Sequence, residues 1–392
     1  MSYYKKIFSQ RPFLESLDLC RLDGPAYVID MSALQRNLEI LGSVQRRSGA
    51  KILLALKAFS AYATFPLIRE YLPGCCVSSP YEARLAREEF GGEVHSFAPA
   101  YSQKDLEEQL KYSDHIIFNS LKQLSRYKPS VQQHLREVSV GLRVNPLHSE
   151  TQCELYDPCA PGSRLGILAS ELSAEKLTGV DGLHFHTLCQ ENSDALQRTA
   201  EAFESQFGEY LPQMKWLNFG GGHHITQPDY DVDLLCEVID YFKNKYEVEV
   251  YLEPGEAVAV NTGALVCSVL DIVENEVTTA ILDISATCHM PDVLEMPYRP
   301  EVRGAGLSGE KLYTYRLGGL SCLAGDVVGD YSFDQQLKIG DKISLDDMSH
   351  YTMVKSSNFN GIAHPEIVLY HAAEDRLEIV NSFNYESYKA RL

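Results

Sequence analysis

Lys57 is the first residue along the chain whose type and position could do chemistry. It directly follows the apolar run Ile52–Leu56. A lysine held against apolar surroundings has its charged form disfavoured, and this frees the amine as a nucleophile. Taken alone, the position favours a solvated lysine at the end of a strand. The interpretation therefore depends on which other polar residues share the same end of the fold.

Two further strings carry candidate chemistry at the ends of apolar runs. Gly220-Gly221-Gly222 follows Trp216–Phe219. Backbone N–H groups of such a loop can surround a phosphate, and three glycines exceed what a chain reversal needs. The string Glu253-Pro254-Gly255 ends another run. A carboxylate there could pair with a protonated pyridine nitrogen and keep the ring an electron sink, although a structural ion pair would use the same residue.

Four histidines raise the question of a metal site. His184 and His186 lie two apart on a predicted strand and point to the same face. Together with His223 and His224 they could bind a metal ion, but the set lacks a carboxylate or thiolate partner at metal-ligand spacing. We therefore predict no metal ion. A planar imidazole stacked on a cofactor ring fits His186 better.

A glycine-rich loop late in the chain joins a thiol and a carboxylate. The segment Gly319–Asp326 contains Cys322 and ends on Asp326. Most free cysteines are buried and inert, so the loop alone does not establish a reactive thiol.

The elements that must position these residues follow an alternating pattern. Between residues 50 and 253, short apolar runs alternate with helix-like stretches. We predict strands at Lys51–Leu56, Gly74–Ser78, Val94–Phe97, His115–Phe118, Val138–Val144, Val180–His186, Trp216–Phe219 and Val248–Leu252. This pattern predicts an α/β fold, a (β/α)₈ TIM barrel whose strands end at the active site. The alternative, a doubly wound open sheet, would usually carry a glycine fingerprint after its first strand, where this chain has Leu56-Lys57-Ala58-Phe59.

The pattern changes after Gly255 to short strand candidates separated by turn signals. The strand candidates are Ala264–Val273, Val277–Ile284, Leu312–Arg316, Lys342–Leu345 and Ile367–Leu369. This predicts a second, mostly β domain, and Ala26–Asp30 is expected to join it. We place the barrel at 31–260 and the β-rich domain at 1–30 plus 261–392.

Composition limits the class of partner and the compartment. The 392 residues carry a formal charge of −19, so we do not expect nucleic-acid binding, whereas a cationic small substrate or simple solubility would fit. Ten scattered cysteines without a C-x-x-C pair predict reduced thiols and a cytoplasmic location. Met1–Leu14 lacks the apolar core of a signal peptide, and no apolar run approaches membrane length.

In this order, the motifs resemble the fold type III pyridoxal-phosphate (PLP) decarboxylases, which share an alanine-racemase-like barrel. The resemblance spans Ala26 to about Tyr370. It implies a Schiff-base lysine at Lys57, a ring-stacking imidazole at His186 and a phosphate loop at Gly220-Gly221-Gly222. It also implies that Glu253 and Gly255 form the family's E-P-G motif, that Cys322 begins a cysteine-to-aspartate loop, and that Tyr351 lies near the phosphate.

Within this group, four strings are similar to the carboxynorspermidine (carboxyspermidine) decarboxylases. They are Leu54–Lys57, Tyr251–Ala257, Ser321–Asp326 and Tyr351–Lys355. The resemblance implies PLP-dependent decarboxylation of carboxynorspermidine and/or carboxyspermidine, with Cys322 as proton donor to the carbanion. It places Cys322 and Asp326 in the partner subunit's site, so we expect a homodimer with shared active sites.

Departures from the wider group affect the predicted substrate. Ornithine and diaminopimelate enzymes usually carry an arginine after E-P-G, where this chain has Glu256, and a serine where it has Cys189. A carboxylate binds phosphate poorly, so we predict that Glu256 contacts an ammonium group of a cationic carboxylated polyamine. Asp292 and Asp326 are predicted as further amine contacts.

Other interpretations remain open at this stage. One is a diaminopimelate or basic amino-acid decarboxylase of the same fold. Another is an amino-acid racemase, which would need a second base. A third is a non-catalytic decarboxylase homologue that binds a regulatory partner. Such homologues tend to lose the lysine or the loop cysteine, and this chain has both Lys57 and Cys322.

Overall fold

The chain divides into two compact units. The structure, a computed structural model, describes residues 14–151 and 153–392. One unit is Asn37–Val258, and the other joins the described residues up to Arg36 with Ala259–Leu392. The sequence prediction places the borders at 30/31 and 260/261. The predicted lack of a signal peptide concerns residues 1–13, which lie outside the described residues.

The strands and helices of the described chain have the following bounds. The strands are Ala26–Asp30 (β1), Lys51–Ala55 (β2), Gly74–Val77 (β3), Glu93–Phe97 (β4), His115–Phe118 (β5), Ser139–Arg143 (β6), Gly182–His184 (β7), Trp216–Asn218 (β8), Glu249–Leu252 (β9), Gly263–Asn275 (β10), Val277–Leu282 (β11), Gly306–Leu307 (β12), Tyr313–Gly318 (β13), Val327–Phe333 (β14), Lys342–Asp346 (β15), Glu366–His371 (β16) and Arg376–Asn381 (β17). The α-helices are Met31–Ser48 (α1), Phe65–Ile68 (α2), Pro80–Leu85 (α3), Gln103–Leu110 (α4), Leu121–Gln132 (α5), Ser193–Phe207 (α6), Val232–Tyr246 (α7), Glu256–Ala259 (α8), Ala286–His289 (α9), Asp292–Glu295 (α10) and Tyr385–Lys389 (α11).

Strands β2 to β9 form a closed parallel barrel. Each strand pairs with the next, and β2 pairs with β9 through Lys51 beside Tyr251, which closes the ring. Buried parallel strands read as continuous apolar runs, and Ile52, Leu53 and Leu54 are fully buried in this way. The predicted TIM barrel is therefore confirmed, each of its eight predicted strands is present among the described residues, and the open-sheet alternative is wrong.

Short polar residues start the helices that follow the strands. The side chain of Ser79 accepts a hydrogen bond from an N–H of the first turn of α3. Ser102 does the same for α4 and Ser120 for α5. Such caps satisfy N–H groups that lack a helical partner, so each helix begins at a fixed point after its strand. This fixes the length of the loops that carry the site.

A polar cluster lies at the amino-terminal ends of the barrel strands. The Lys51 ammonium lies 2.6 Å from a Glu93 oxygen and 2.9 Å from Glu249. The His95 and His115 rings stack 3.8 Å apart, nearly parallel. Ligand atoms of Glu93, His95 and His115 lie within 4.8 Å of one another. However, parallel imidazoles do not aim their lone pairs at one ion, and Lys51 already compensates Glu93, so the geometry suits an ion-pair network better than a metal centre.

The other unit is built on a nine-stranded sheet. Its order is β12-β14-β13-β11-β10-β1-β16-β17, with β15 also paired to β10. As predicted, Ala26–Asp30 joins this sheet, parallel to β16 and antiparallel to β10. Val28, Val266 and Val368 pack together in its core. No helix in the described part of the chain has the length and apolarity needed to cross a membrane.

Candidate active site

A cavity of about 310 Å³ lies within the barrel unit, where the carboxyl ends of the strands meet. Strand ends converge at this face of a TIM barrel, which is where such enzymes place their reacting groups. The lining residues are Lys57, Cys76, Val77, Ser78, Phe97, Pro99, Arg143, Arg164, Leu165, His184, His186 and Glu253. The fold thus brings together Lys57, His186 and Glu253, which are far apart in sequence.

Lys57 lies two residues beyond the end of β2. The chain turns there, because the Ala58 N–H donates to the carbonyl of Ala55. The Lys57 side chain is exposed and lines the cavity beside Cys76 and Glu253. This differs from the predicted apolar surroundings, because the buried run ends at Leu56 and the lysine projects past it.

Glu253, at the end of β9, is a buried carboxylate that is 8% exposed. Asn218 donates a hydrogen bond of 2.7 Å to one oxygen, and Nε2 of His184 lies 3.5 Å from the other. Burial acts to raise the pKa of Glu253, but His184 and Asn218 more than offset it, so the net effect is a lowered pKa. The carboxylate is therefore ionised at neutral pH, with a cavity on one side.

His186 is held in one orientation by the glycine run. Its Nδ1 accepts the N–H of Gly221 at 2.7 Å, which leaves the proton of the neutral ring on Nε2. Burial, and then the positive charges of Lys57 and Arg143, lower the pKa of His186 well below its usual value. A neutral, oriented imidazole faces the cavity as a result.

The glycine run fits tightly between two strand ends. The N–H of Gly220 donates to Asn218 Oδ1 at 2.8 Å, so the N–H groups of Gly220 and Gly221 both hold the loop itself. Gly222 has a φ of 85°, and a Cβ there would lie 1.9 Å from the carbonyl oxygen of Leu188. Any other residue is excluded at Gly222 by both backbone angle and space. A phosphate bound at this loop would therefore have to use N–H groups other than those of Gly220 and Gly221.

The motif after β9 serves the same region. A Cβ at Gly255 would lie 2.3 Å from the Cβ of Ala58, so only glycine lets the end of β9 pack against the turn that carries Lys57. Glu256, the next residue, does not line the cavity. One of its oxygens accepts a 2.7 Å hydrogen bond from Gln190 and lies 3.4 Å from Nε2 of His224. Its role as a substrate contact stays a prediction.

In the other unit, Cys322 is exposed on the loop between β13 and β14. The Cys322 N–H donates to Asn360 Oδ1 at 2.8 Å. Asp326 is buried, and its carboxylate accepts hydrogen bonds from Ser285 Oγ at 2.8 Å and the Ser321 N–H at 3.0 Å. The carboxylate of Asp326 thus organises the loop that presents the thiol.

Asp292 and Tyr351 also lie in this unit. Asp292 begins α10, and its carboxylate forms an ion pair with Lys355, whose ammonium also lies 2.9 Å from Glu295. An ammonium group of the chain itself therefore already meets Asp292. Tyr351 has a φ of 47°, a left-handed conformation that is uncommon for residues other than glycine. The roles predicted for both residues stay predictions.

Sequence reasoning missed two arginines that line the cavity, Arg143 and Arg164. Arg143 ends β6, donates from Nη2 to the carbonyl of His186 at 3.0 Å and lies 4.8 Å from the ring centre of Phe97. Burial lowers the pKa of Arg143 to about 10, so it stays charged at neutral pH. Arg164 lines the same cavity. An arginine inside the predicted strand Val138–Val144 was the available signal, because buried strands rarely hold an unpaired charge.

Comparison with known proteins agrees with this architecture. Residues 257–349 match the family model for the C-terminal sheet domain of pyridoxal-dependent decarboxylases. A carboxynorspermidine/carboxyspermidine decarboxylase of Campylobacter jejuni is 44% identical, over 95% of this chain and 99% of its own length. A carboxyaminopropylagmatine decarboxylase of Synechocystis is 46% identical, over 97% and 98%. A crystal structure of the C. jejuni carboxynorspermidine decarboxylase complexed with norspermidine superposes with a TM-score of 0.88 at 43% identity, over 95% of this chain and 100% of that one.

The barrel, its lysine-bearing cavity and the matched sheet domain define a barrel-fold, pyridoxal-dependent decarboxylase. Within that class, the chain belongs to the family of carboxynorspermidine/carboxyspermidine decarboxylases. The family predicted from the sequence motifs is thus confirmed, and it is favoured over the racemase and non-catalytic interpretations.

Proposed function

We propose that this chain binds pyridoxal phosphate and decarboxylates a carboxylated polyamine, carboxynorspermidine or carboxyspermidine. One observation carries the proposal: a lysine amine, an ionised carboxylate and a neutral imidazole meet in a single cavity of about 310 Å³. These are the groups that the cofactor's aldehyde, ring nitrogen and ring face require. The glycine cradle beside them suits the cofactor's phosphate.

Each group of the cavity has a distinct role in the proposal. Bound pyridoxal phosphate supplies an electron sink for the electron pair that loss of CO₂ leaves behind. Lys57 would hold the aldehyde carbon of the cofactor through its side-chain amine. Glu253 would keep the ring nitrogen protonated, because a buried anion of lowered pKa stabilises a neighbouring cation. His186, whose orientation is fixed by Gly221, would hold the ring from one side.

Cys322 is the proposed proton donor to the carbon that loses CO₂. The Cys322 thiol is exposed, and hydrogen bonds to Asn360 and Asp326 hold its loop in place. Both observations support a thiol that a substrate can reach. The family resemblance assigns this loop to the site of a second subunit. We therefore propose a homodimer in which each site combines Lys57 of one chain with Cys322 of the other, and Tyr351 near the phosphate.

The relatives support a polyamine substrate and leave one second candidate. The C. jejuni enzyme binds norspermidine in its crystal structure, which favours a chain that ends in an ammonium group. The Synechocystis relative acts on carboxyaminopropylagmatine, a chain that ends in a guanidinium group. The two candidates share the reacting carbon and differ at the far end. Asp292 and Asp326 remain proposed contacts for the cationic part.

The test is a comparison of two lysine variants of the full chain. Lys57→Ala should lose both the absorbance of lysine-bound cofactor and CO₂ release from carboxynorspermidine, since the amine that holds the aldehyde is gone. The control is Lys122→Ala, which removes an exposed lysine at the start of α5 and should change neither. Retention of the cofactor absorbance by Lys57→Ala would reject the lysine assignment.

A further inference from the structure

Three strand-end loops of the barrel meet beside the glycine run. The segment after β7 reaches Glu191, whose N–H donates to the carbonyl of Gly222 at 3.0 Å. The His224 N–H donates back to the carbonyl of Glu191 at 3.1 Å. Glu191 and His223 thus form an isolated parallel bridge. The loop after β7 is in this way bonded directly to the loop that should receive the phosphate.

Glu256 connects the third loop to this pair. Its Oε1 accepts the amide N–H of Gln190 at 2.7 Å, from the loop after β7. The same oxygen lies 3.4 Å from Nε2 of His224, from the loop after β8. One carboxylate therefore contacts Gln190 and His224, which are the sequence neighbours of the bridge partners Glu191 and His223. It belongs to the residue that follows Glu253-Pro254-Gly255.

Gln190 makes its hydrogen bond to Glu256 from a strained backbone conformation. Its φ is 56°, in the left-handed region that disfavours side chains. Strained backbone of this kind persists where the surroundings fix it, and it clusters at functional sites. Glycine would adopt the angle without strain, so the side chain of Gln190 is present despite a local cost.

We infer that Glu256 is a positioning residue of the phosphate cradle, the glycine run Gly220-Gly221-Gly222 with the adjoining loop after β7. Glu256 holds the loops after β7 and β8 together through Gln190 and His224. The inference rests on the proposed binding of pyridoxal phosphate. In this role Glu256 does not touch the phosphate. It fixes the backbone N–H groups around it.

Two substitutions of Glu256 separate positioning from substrate contact. Glu256→Ala removes the acceptor of the Gln190 hydrogen bond and the carboxylate beside His224, and the dissociation constant of pyridoxal phosphate should rise about tenfold. Glu256→Gln keeps an oxygen that can accept from Gln190, so the dissociation constant should stay within twofold of wild type. A substrate contact would behave differently, because the neutral amide would raise KM for carboxynorspermidine about as much as alanine does.

The readout is direct titration of the cofactor-free full chain. Quenching of Trp216, the single tryptophan, follows binding of pyridoxal phosphate and, separately, of pyridoxal, which lacks the phosphate. Only the affinity for the phosphorylated form should fall in Glu256→Ala. A general loss of structure would weaken both ligands, so the ratio of the two dissociation constants isolates the cradle.

Gln190→Gly supplies a variant that folds without the strain at that position. It should reproduce the loss seen in Glu256→Ala while its Tm stays at or above that of wild type. The matched control is Gln103→Ala, which breaks an equivalent 2.7 Å amide–carboxylate bond between Gln103 and Glu107 on the exposed face of α4. That variant should bind both forms of the cofactor as wild type does.

The outcomes are distinct. A tenfold loss for pyridoxal phosphate alone in Glu256→Ala and Gln190→Gly, with Glu256→Gln close to wild type, supports the inference. An unchanged affinity in Glu256→Ala, with a raised KM for the polyamine in Glu256→Gln, overturns it and makes Glu256 a substrate contact. Failure of the wild-type chain to bind pyridoxal phosphate would instead remove the proposed function itself.

Discussion

Glu253 combines deep burial with a charge, and its neighbours explain how. The hydrogen bond from Asn218 and the imidazole of His184 stabilise the anion that burial disfavours. A buried charge beside a cavity costs free energy unless an oppositely charged group pairs with it. A protonated ring nitrogen carries the opposite charge, as the role proposed for Glu253 requires.

Replacing the charge alone should be informative. Glu253→Gln keeps the shape and an oxygen that can accept from Asn218, but it no longer stabilises a protonated ring. We expect kcat for CO₂ release to fall about 100-fold, with the fold retained by circular dichroism. Glu249→Gln, at the exposed first position of the same strand, is the control and should keep kcat within twofold. Equal rates for wild type and Glu253→Gln would show that the carboxylate does not act on the ring.

The sequence predicted those site residues whose position alone implies their role. His186 ends a predicted strand, Lys57 and Glu253 each directly follow one, and barrel topology brings strand ends together. Gln190 and Arg143 were not predicted. The role of Gln190 depends on a left-handed backbone and a bond to Glu256. Arg143 falls inside the predicted strand Val138–Val144, whereas in the structure it ends β6. Contacts of this kind are set by packing and leave no periodic signal.

At the scale of elements, the glycine run joins the ends of β7, β8 and β9. Gly222→Ala would force a Cβ to within 1.9 Å of the carbonyl oxygen of Leu188, at a φ that already disfavours side chains. Gly162→Ala is the matched control, because Gly162 has a φ of 80° and no atom within 4 Å of the added Cβ.

The two glycine variants should therefore differ in stability. Gly162→Ala should lower the free energy of unfolding by about 1 kcal/mol from backbone strain alone. Gly222→Ala should lower it by a further 1–3 kcal/mol, approximately the cost of overpacking. Urea unfolding measures both. Equal losses would mean that the loop after β7 moves aside without penalty, which would contradict a rigid cradle.

The polar cluster at the amino-terminal ends of the barrel strands makes the free energy of unfolding depend on pH. Burial, and then the neighbouring His95, lower the pKa of His115 to about 2. An imidazole whose pKa falls on folding binds fewer protons in the native state than in the unfolded state, so acid favours unfolding. Its contribution is complete above about pH 6.5 and is lost as the pH falls towards 2.

His115→Phe removes this titration and keeps a flat ring against His95. The wild-type free energy of unfolding should fall between pH 6.5 and pH 5, and the variant should lose roughly 2 kcal/mol less over that interval. Urea unfolding at the two pH values measures the difference. An identical pH dependence in the two proteins would mean that His115 titrates normally in the folded barrel.

The element pattern itself was well specified by the sequence. The barrel strands are continuous apolar runs between turn residues, so their positions could be predicted. Strands β14 and β17 were not predicted. Gly329 and Asp330 interrupt the apolar sequence pattern within β14. Strand β17 is a largely exposed edge strand with little apolar alternation. Such strands are held by pairing with β13 and β16, which a single sequence window does not show.

At the scale of the whole molecule, the proposed assembly makes a sharp prediction. Lys57→Ala and Cys322→Ala chains should each be nearly inactive, because each lacks one half of every shared site. Mixed and allowed to exchange subunits, they should recover up to about a quarter of wild-type activity, since hybrids contain one intact site. Cys20→Ala, which removes another exposed thiol, should remain fully active by itself. No recovery despite measured exchange would place Lys57 and Cys322 in the same chain.

Substrate choice is the property least determined by the fold. Relatives of nearly equal identity to this chain act on different polyamines, so identity alone does not rank them. The charge of −19 favours cationic substrates as a class and cannot separate one from another. The reacting groups are shared by all of them, and the difference lies in contacts to the far end of the chain.

CO₂ release from the PLP-loaded protein would show directly whether its substrate is a carboxylated polyamine. Carboxynorspermidine, carboxyspermidine, carboxyaminopropylagmatine, diaminopimelate, ornithine and arginine would be compared at equal concentration. We expect kcat/KM for carboxynorspermidine or carboxyspermidine to exceed that for every amino acid in the series by at least about 100-fold, some 3 kcal/mol in transition-state binding. Preferred turnover of diaminopimelate or ornithine would contradict the proposed polyamine substrate and leave the barrel site with Lys57 intact.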